Sequence, residues 1–365
     1  MFAKINGRTR SAYSQPTIHG ALELTLGGIV GSVKITSWNI EYLDHLVKDD
    51  LSEFQRRRRD AVVREIRELS PDILCILEGP KGEDAIDRVS NELLGGEWVA
   101  VKAEDNRYKI QGNQWIWFLI RESYSDSASL LPVDTWDALA AGSWKVHLWG
   151  EFEERSHYHY RHPQVLVLDW NGFRVEFIGL HLKSKLVIAG QSMWNAGGAE
   201  RERFVREALE ARTKLATEAV NVRAYIDAKF EQVSNPAIFV MGDLNDGPGK
   251  EYFEDLYLYF DLVSNVQGDV FWARRFLNHA LFDFPGELRW SVYFRDFIQP
   301  ERDPRILLDH ILFTQGLVDG SLPWKMEARA GKVEHEIHDL INATLPASAK
   351  TSDHKPVSVV VTTDE

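Results

Sequence analysis

Five short apolar runs in this chain share one layout: each reads as a strand, and each carries hydrogen-bonding or charged residues where it ends. They are SWNIEYL (residues 37–43) with Asn39 and Glu41, ILCILEGP (73–80) with Glu78, FIGLHLKSK (177–185) with His181 and Lys183, FVMGDLND (239–246) with Asp243, Asn245 and Asp246, and LLDHILF (307–313) with Asp309 and His310. A sixth, TSDHKPVSVVV (351–361), runs the other way, with Asp353 and His354 ahead of the apolar part. A single such end is what a turn-forming Asn or Asp produces. Six can act together only if the strands lie side by side with their polar ends along one edge, where the oxygens and nitrogens share a cleft.

The rest of the pattern supplies the strands and their cover. Val33–Trp38, Asp72–Leu77, Trp115–Ile120 and Ala237–Met241 read as strands, and Ile306–Phe313 and Val357–Val361 as the last ones. Asn171-Gly172, between Gln164–Leu168 and Phe173–Leu180, predicts a tight hairpin. Glu53–Leu69 predicts a helix with Val62, Ile66 and Leu69 on one stripe. Phe204, Ala208, Ala211, Leu215, Ala219, Val222, Ile226 and Phe230 mark a second helix of about thirty residues, ended by Pro236. Hairpins in the first half and helices in the second imply sheets covered by helices, not a wholly parallel sheet. Residues 33–365 show no repeat or linker and are expected to form a single domain, after an extension at 1–32 that is an arm or an edge hairpin. An aromatic-rich stretch (271–290) fits neither period and is expected to be an insertion or lid within about 265–300.

Composition narrows the function. The chain has 365 residues, enough to bury a large core, and no apolar run long enough for a membrane span. No secretory signal pattern is present, and the single cysteine, Cys75, precludes an internal disulfide, so a cytoplasmic location is expected. A net charge of −13 argues against coating nucleic acid through a broad basic face.

In a shared cleft, Glu78, Asp243 and Asp353 would offer carboxylates, and Asn39 and Asn245 amide oxygens. That set of hard donors suits Mg²⁺ or Mn²⁺, and acids packed together without a cation would repel. His181 and His354 supply donors for a charged oxygen, or a base for water. Carboxylates, a metal, histidine and arginine together describe metal-assisted attack of water on a phosphate ester.

The six segments, in this order, resemble the endonuclease/exonuclease/phosphatase superfamily, and the likeness runs from about Val33 to Val361. The resemblance implies an α/β fold, a four-layer sandwich of two face-to-face, mostly antiparallel sheets flanked by helices. It implies that Asn39 and Glu78 hold a metal, Glu41 a second metal position, and that Asp353 is a metal-side carboxylate. Asp243 matches the residue that orients or deprotonates the attacking water, and Asn245 its neighbour on the phosphate. Asp309 matches the acid that orients His354, and His181 a phosphate-contacting imidazole. Arg161 matches an arginine that reaches the scissile phosphate in the nuclease and sphingomyelinase branches, and Lys183 flanks the same cleft. Leu77 stands where the family often has Gln, and His310 where Tyr is frequent.

The activity expected is metal-dependent phosphoester hydrolysis, first of nucleic acid, with Trp272, Arg274, Arg275 and Trp290 as stacking and phosphate contacts. The alternatives are a small or lipid-derived phosphate and a non-catalytic binding module. HYHYRH (157–162) is expected as a strand with His157, His159 and Arg161 on one face, where His159 could line the cleft, and His162 with Tyr158 and Tyr160 on the other. His335 and His338 are expected on a solvated loop, and Arg56 to Arg59 on a solvated or acid-paired face.

Overall fold

The apolar runs pair into two six-stranded sheets in the computed structural model of the protein, which describes residues 30–110, 112–137, 144–148, 154–247, 251–258 and 261–364. In chain order the strands are β1 (Val30–Asn39), β2 (Ile73–Gly79), β3 (Trp98–Ala100), β4 (Trp115–Arg121), β5 (Ala128–Leu130), β6 (Gln164–Trp170), β7 (Phe173–His181), β8 (Ala237–Asp243), β9 (Asn278–His279), β10 (Asp309–Phe313), β11 (Trp324–Val333) and β12 (Val357–Asp364). One sheet has the order β11-β12-β1-β2-β4-β3, the other β9-β10-β8-β7-β6-β5. Each is antiparallel except for one central parallel pair, β1 with β2 and β7 with β8.

The sheets face each other across a core that includes Ile35, Cys75, Phe118, Phe177, Phe239 and Val359. Helices cover the outer faces. α1 (Glu53–Leu69) lays Val62, Ile66 and Leu69 on Trp38, Leu74 and Ile76 of the first sheet. α2 (Gly198–Gln232), 35 residues long, lays Leu215, Val222 and Ile226 on Ile178, Leu180 and Val240 of the second. Four layers result, and the central strands are buried on both faces, which is why β2 and β4 are continuous apolar runs. Each such aliphatic side chain contributes about 1.5–3 kcal/mol on burial.

Local chemistry sets the ends. Ser52 and Gln55 form a reciprocal capping box that starts α1 where the sequence predicts it. Asn171 and Gly172 take φ of 51° and 78°, the left-handed pair that a tight hairpin between β6 and β7 requires.

Several expectations are corrected. β1 begins at Val30, inside the presumed extension, because Val30–Ser37 pair along β12; residues 1–29 lie outside the described residues. The run Ile306–Phe313 is two strands, with Arg305–Ile306 turning away to pair with Val292–Tyr293. His335 and His338 are buried on α3 (His335–Asn342): His338 Nδ1 lies 2.8 Å from Glu65 Oε1, and His335 Nε2 2.6 Å from the Leu288 carbonyl. In HYHYRH the strand stops at His157, so the alternation breaks and His162 turns inward, its ring 6.1 Å from that of His159. His159 packs against α2, 3.4 Å from Asn221 Oδ1. Asn278 pairs with Phe313, so the chain before it, with Trp272, Arg274 and Arg275, leads in from the end of β10 away from Asp309.

Candidate active site

The strand registers assemble the polar ends. Asp243 closes β8 with His181 of β7 on one side and Asp309 of β10 on the other. In the opposite sheet Asn39 closes β1 beside Leu77, the residue before Glu78. The two sheets meet at these ends: Asn39 Nδ2 donates to Asp243 Oδ2 at 3.2 Å. His354 arrives from the segment before β12, anchored by Trp38 Nε1 donating to its carbonyl at 3.0 Å. Glycine precedes Asp243 because Gly242 has φ of 140° and a Cβ there would lie 1.9 Å from the Leu180 carbonyl oxygen.

Asp243 is the hub. Its Oδ2 lies 3.5 Å from His181 Nε2 and 3.9 Å from His354 Nε2, and its Oδ1 accepts from the Asn245 amide at 2.8 Å. His354 Nδ1 is held by Asp309 Oδ2 at 2.7 Å, which turns Nε2 toward Asp243. Burial pushes the Asp243 carboxyl up to about 7; nearby His354 opposes this and Asp309 adds to it. Burial alone would discharge His354, but Asp309, with Asp243 and Asp353, overcomes it and pushes its pKa up to about 10. Burial, with Arg161 and His354 adding to it, holds His181 well below the ordinary imidazole range. The site therefore combines a carboxylate able to take a proton near neutrality, an imidazolium held charged, and a neutral imidazole.

Beside the hub stands an oxygen-rich corner. Asn39 is 2% exposed, and its Oδ1 has no hydrogen-bond partner among the described residues. Glu78 adopts φ of 58°, an unusual conformation for a non-glycine residue, and its Oε2 accepts from the Tyr42 amide at 3.1 Å. Burial raises the Glu41 pKa, and Asp353 and Glu78 add to it against the pull of Arg58. An orphaned buried amide oxygen beside mutually repelling carboxylates fits a hard divalent cation. Among the described residues no three His, Cys, Asp or Glu side chains form a ready-made cage. The set therefore suits an ion that keeps several waters and takes few protein ligands, as Mg²⁺ does. Asn39 and Glu78 would hold it, with Glu41 and the exposed Asp353 at the rim.

The remaining expected residues divide. Arg161 is turned toward the site by Gln114, whose Oε1 accepts from Nε at 3.0 Å and from Nη2 at 2.7 Å. Burial lowers its pKa, while Glu78 and Asp243 act in the other direction. Asn245 Nδ2 donates to the Leu182 carbonyl at 3.0 Å. Lys183 points its ammonium at the Ser184 carbonyl, 2.7 Å away, and gives its backbone amide to Glu218. Leu77 packs in the core between the sheets. His310 Nδ1 lies 2.8 Å from His279 Nε2, and its Nε2 donates to the Asp246 carbonyl at 2.8 Å.

Three supporting residues were not singled out from sequence. Gln114 is one. Ser352 is another: its Oγ donates to the Asn39 carbonyl and accepts from the amides of Glu41 and His354, tying both loops together. The third is Arg58, one of four consecutive arginines expected to be solvated or acid-paired; it is acid-paired, 3.8 Å from Glu41 Oε2, but only 8% exposed, and it donates to the carbonyls of Glu41, Lys350 and Thr351.

Comparison with known proteins follows this geometry. A family model described as the Endonuclease/Exonuclease/phosphatase family matches residues 36–354. No curated protein matches the sequence. Among solved structures, truncated TDP2 of Caenorhabditis elegans is 16% identical, with 91% of this chain and 98% of that one covered and a TM-score of 0.46. D. rerio TDP2 complexed with single strand DNA product is 13% identical, with 90% and 98% covered and a TM-score of 0.47. The human Nocturnin catalytic domain with bound sulfate anion is 14% identical, with 90% and 94% covered and a TM-score of 0.45.

Proposed function

The chain belongs to the endonuclease/exonuclease/phosphatase family, whose members generally hydrolyse phosphoester bonds, and we propose that its own reaction is divalent-metal-dependent hydrolysis of a phosphodiester. The observation that carries this reading is the grouping around Asp243, with Asn39 Nδ2 at 3.2 Å, His181 Nε2 at 3.5 Å and His354 Nε2 at 3.9 Å.

Asp243 orients a water and takes its proton; burial leaves it poised to do so near neutrality. His354, kept charged by Asp309, donates to the oxygen on which negative charge develops, and His181 donates as a neutral imidazole. Arg161, pinned by Gln114, binds a non-bridging phosphoryl oxygen. Donors set in place before the reaction are worth roughly 3–4 kcal/mol each. A Mg²⁺ or Mn²⁺ ion at Glu78 and Asn39 would supply the positive charge that an anionic phosphodiester needs beside so many carboxylates.

Nucleic acid is the first substrate class to test, because Arg161 follows the nuclease and sphingomyelinase branches. Trp290 remains near this end, its ring under the Lys355 ammonium at 4.4 Å, whereas Trp272, Arg274 and Arg275 belong to the far end of β10. A small or lipid-derived phosphoester is the second reading, favoured by the net charge of −13. The test is a panel of DNA, RNA, lipid and small phosphoesters with Mg²⁺, Mn²⁺ or a chelator. Metal-dependent release of product from at least one diester is expected, and no turnover of any substrate with either metal would defeat the proposal.

A further inference from the structure

Beside His354 the structure holds a cavity of about 350 Å³, within the range of roughly 300–1,000 Å³ typical of small-molecule sites. At one end it is lined by Asn245, Asp353 and His354, so it opens directly on the site described above. Its lining also includes Phe204, Phe253, Phe297 and Ile298. Three of these rings form one cluster: Phe204 lies 5.8 Å from Phe253 in an edge-to-face arrangement and 5.7 Å from Phe297.

Two of the wall's cations, Lys185 and Arg212, are already paired with its carboxylates. Lys185 Nζ lies 2.5 Å from Asp246, 3.0 Å from Glu251 and 2.7 Å from Glu254, and Arg212 Nη2 lies 2.5 Å from Glu251. These pairs are internal to the protein, and breaking them to greet a charged ligand would strand buried carboxylates. Among the described residues the lining carboxylates are Asp246, Glu251, Glu254, Asp296 and Asp353, and the lining cations are Lys185, Arg212, Arg302 and the charged His354. Among the described residues the cations do not outnumber the carboxylates, so the wall offers a run of phosphates no surplus of positive charge. The aromatic lining, by contrast, gains when an apolar surface replaces water.

We propose that this cavity seats a compact, uncharged apolar group, an aromatic ring in particular, joined through its ester oxygen to the phosphate held at Asp243 and His354. The proposal rests on the phosphodiester reading above and narrows it: the enzyme releases or retains an aryl-type ester group on that side, and a continuing nucleic-acid strand does not pass through it. The hydrolysis balances as water plus diester giving monoester plus alcohol or phenol, the proton of water passing to Asp243 and the leaving oxygen taking a proton from the charged His354 as it departs.

The test is calorimetric titration of the full chain in Mg²⁺ with benzyl phosphate, methyl phosphate and the dinucleotide pTpT, alongside turnover of bis-p-nitrophenyl phosphate. Benzyl and methyl phosphate carry the same anionic group and differ in the ring. Benzyl phosphate is expected to bind at least tenfold tighter, about 1.4 kcal/mol. Phe297→Ala and Ile298→Asp, on a partly exposed segment, should each bring that ratio below about threefold. Phe271→Ala, at a 92% exposed residue outside the cavity, should leave the ratio as it is. Equal affinities for the two esters, a ratio unmoved by both cavity variants, or pTpT binding as tightly as benzyl phosphate overturns the proposal, and continued turnover in that case leaves the hydrolase reading standing. Absence of metal-dependent turnover together with absence of binding overturns both.

Discussion

Replacing Asn39 by leucine separates what this residue does for the fold from what it does for a cation. The side chain is 2% exposed; Nδ2 donates to Asp243 at 3.2 Å, while Oδ1 has no partner among the described residues. A hydrogen bond to a charged partner contributes about 1.5–3 kcal/mol, and a buried polar atom left unsatisfied costs about 1–3 kcal/mol. The two effects have opposite sign and similar size. Leucine branches at the same atom but is bulkier, and overpacking costs about 1–3 kcal/mol, so in chelator the variant should lose no more than about 3 kcal/mol. Magnesium changes the balance. A ligand that binds only the folded state adds about 2.7 kcal/mol at a hundred times its Kd. Wild type should show such an increment, and Asn39→Leu, which lacks the amide oxygen, should lose most of it. Urea unfolding with chelator and with saturating Mg²⁺ measures both terms. If the variant keeps the full magnesium increment, Asn39 is not a ligand; if it loses more than about 3 kcal/mol in chelator, its role is structural.

Other consequences are independent of that one. Asp309→Ala removes the partner that holds His354 charged, so turnover should fall about a hundredfold while the His354 pKa, followed by NMR, drops toward the ordinary imidazole range. Arg58→Ala leaves the carbonyls of Glu41, Lys350 and Thr351 without their donor, and urea unfolding should show a loss of about 3 kcal/mol or more. Burial would raise the Glu218 pKa, but His157 and His159 overcome it and hold it at about 2, against an ordinary 4.5. A depressed carboxyl stabilises the fold above its unfolded pKa, so this contribution should fade as pH falls from 4.5 toward 2, and Glu218→Gln should flatten the pH dependence of the urea midpoint in that window. Hydrolysis should rise with pH through about 7 as Asp243 ionises, and a rate independent of pH there would count against Asp243 as the base.

Much of the sandwich was legible because it is built from local signals. The stripe of Val62, Ile66 and Leu69 marks α1, Asn171-Gly172 a hairpin, and the stripe from Phe204 to Phe230 most of α2. β11 was not legible. Its sequence, WKMEARAGKV, is broken by Arg329 at φ of 60° and alternates weakly, as suits an edge strand with its register shifted between Met326 and Gly331. α3 is eight residues long, too short for its period to stand out, and burial of His338 depends on Glu65 of α1, 273 residues away in sequence. The site follows the same division. Asp243, His181, Asp309 and His354 announce themselves as polar ends of apolar strands. Gln114, Ser352 and Arg58 act through bonds spanning from 17 to 313 residues, and nothing in their own neighbourhood distinguishes them.

The most direct measurement is kcat for a phosphodiester in Mg²⁺ with purified Asp243→Asn and His354→Ala, each checked for native unfolding behaviour. Both should fall at least about a hundredfold while remaining folded, as loss of a positioned group in a preorganised site does. Near-normal turnover in either folded variant would contradict the claim that Asp243 and His354 carry the reaction.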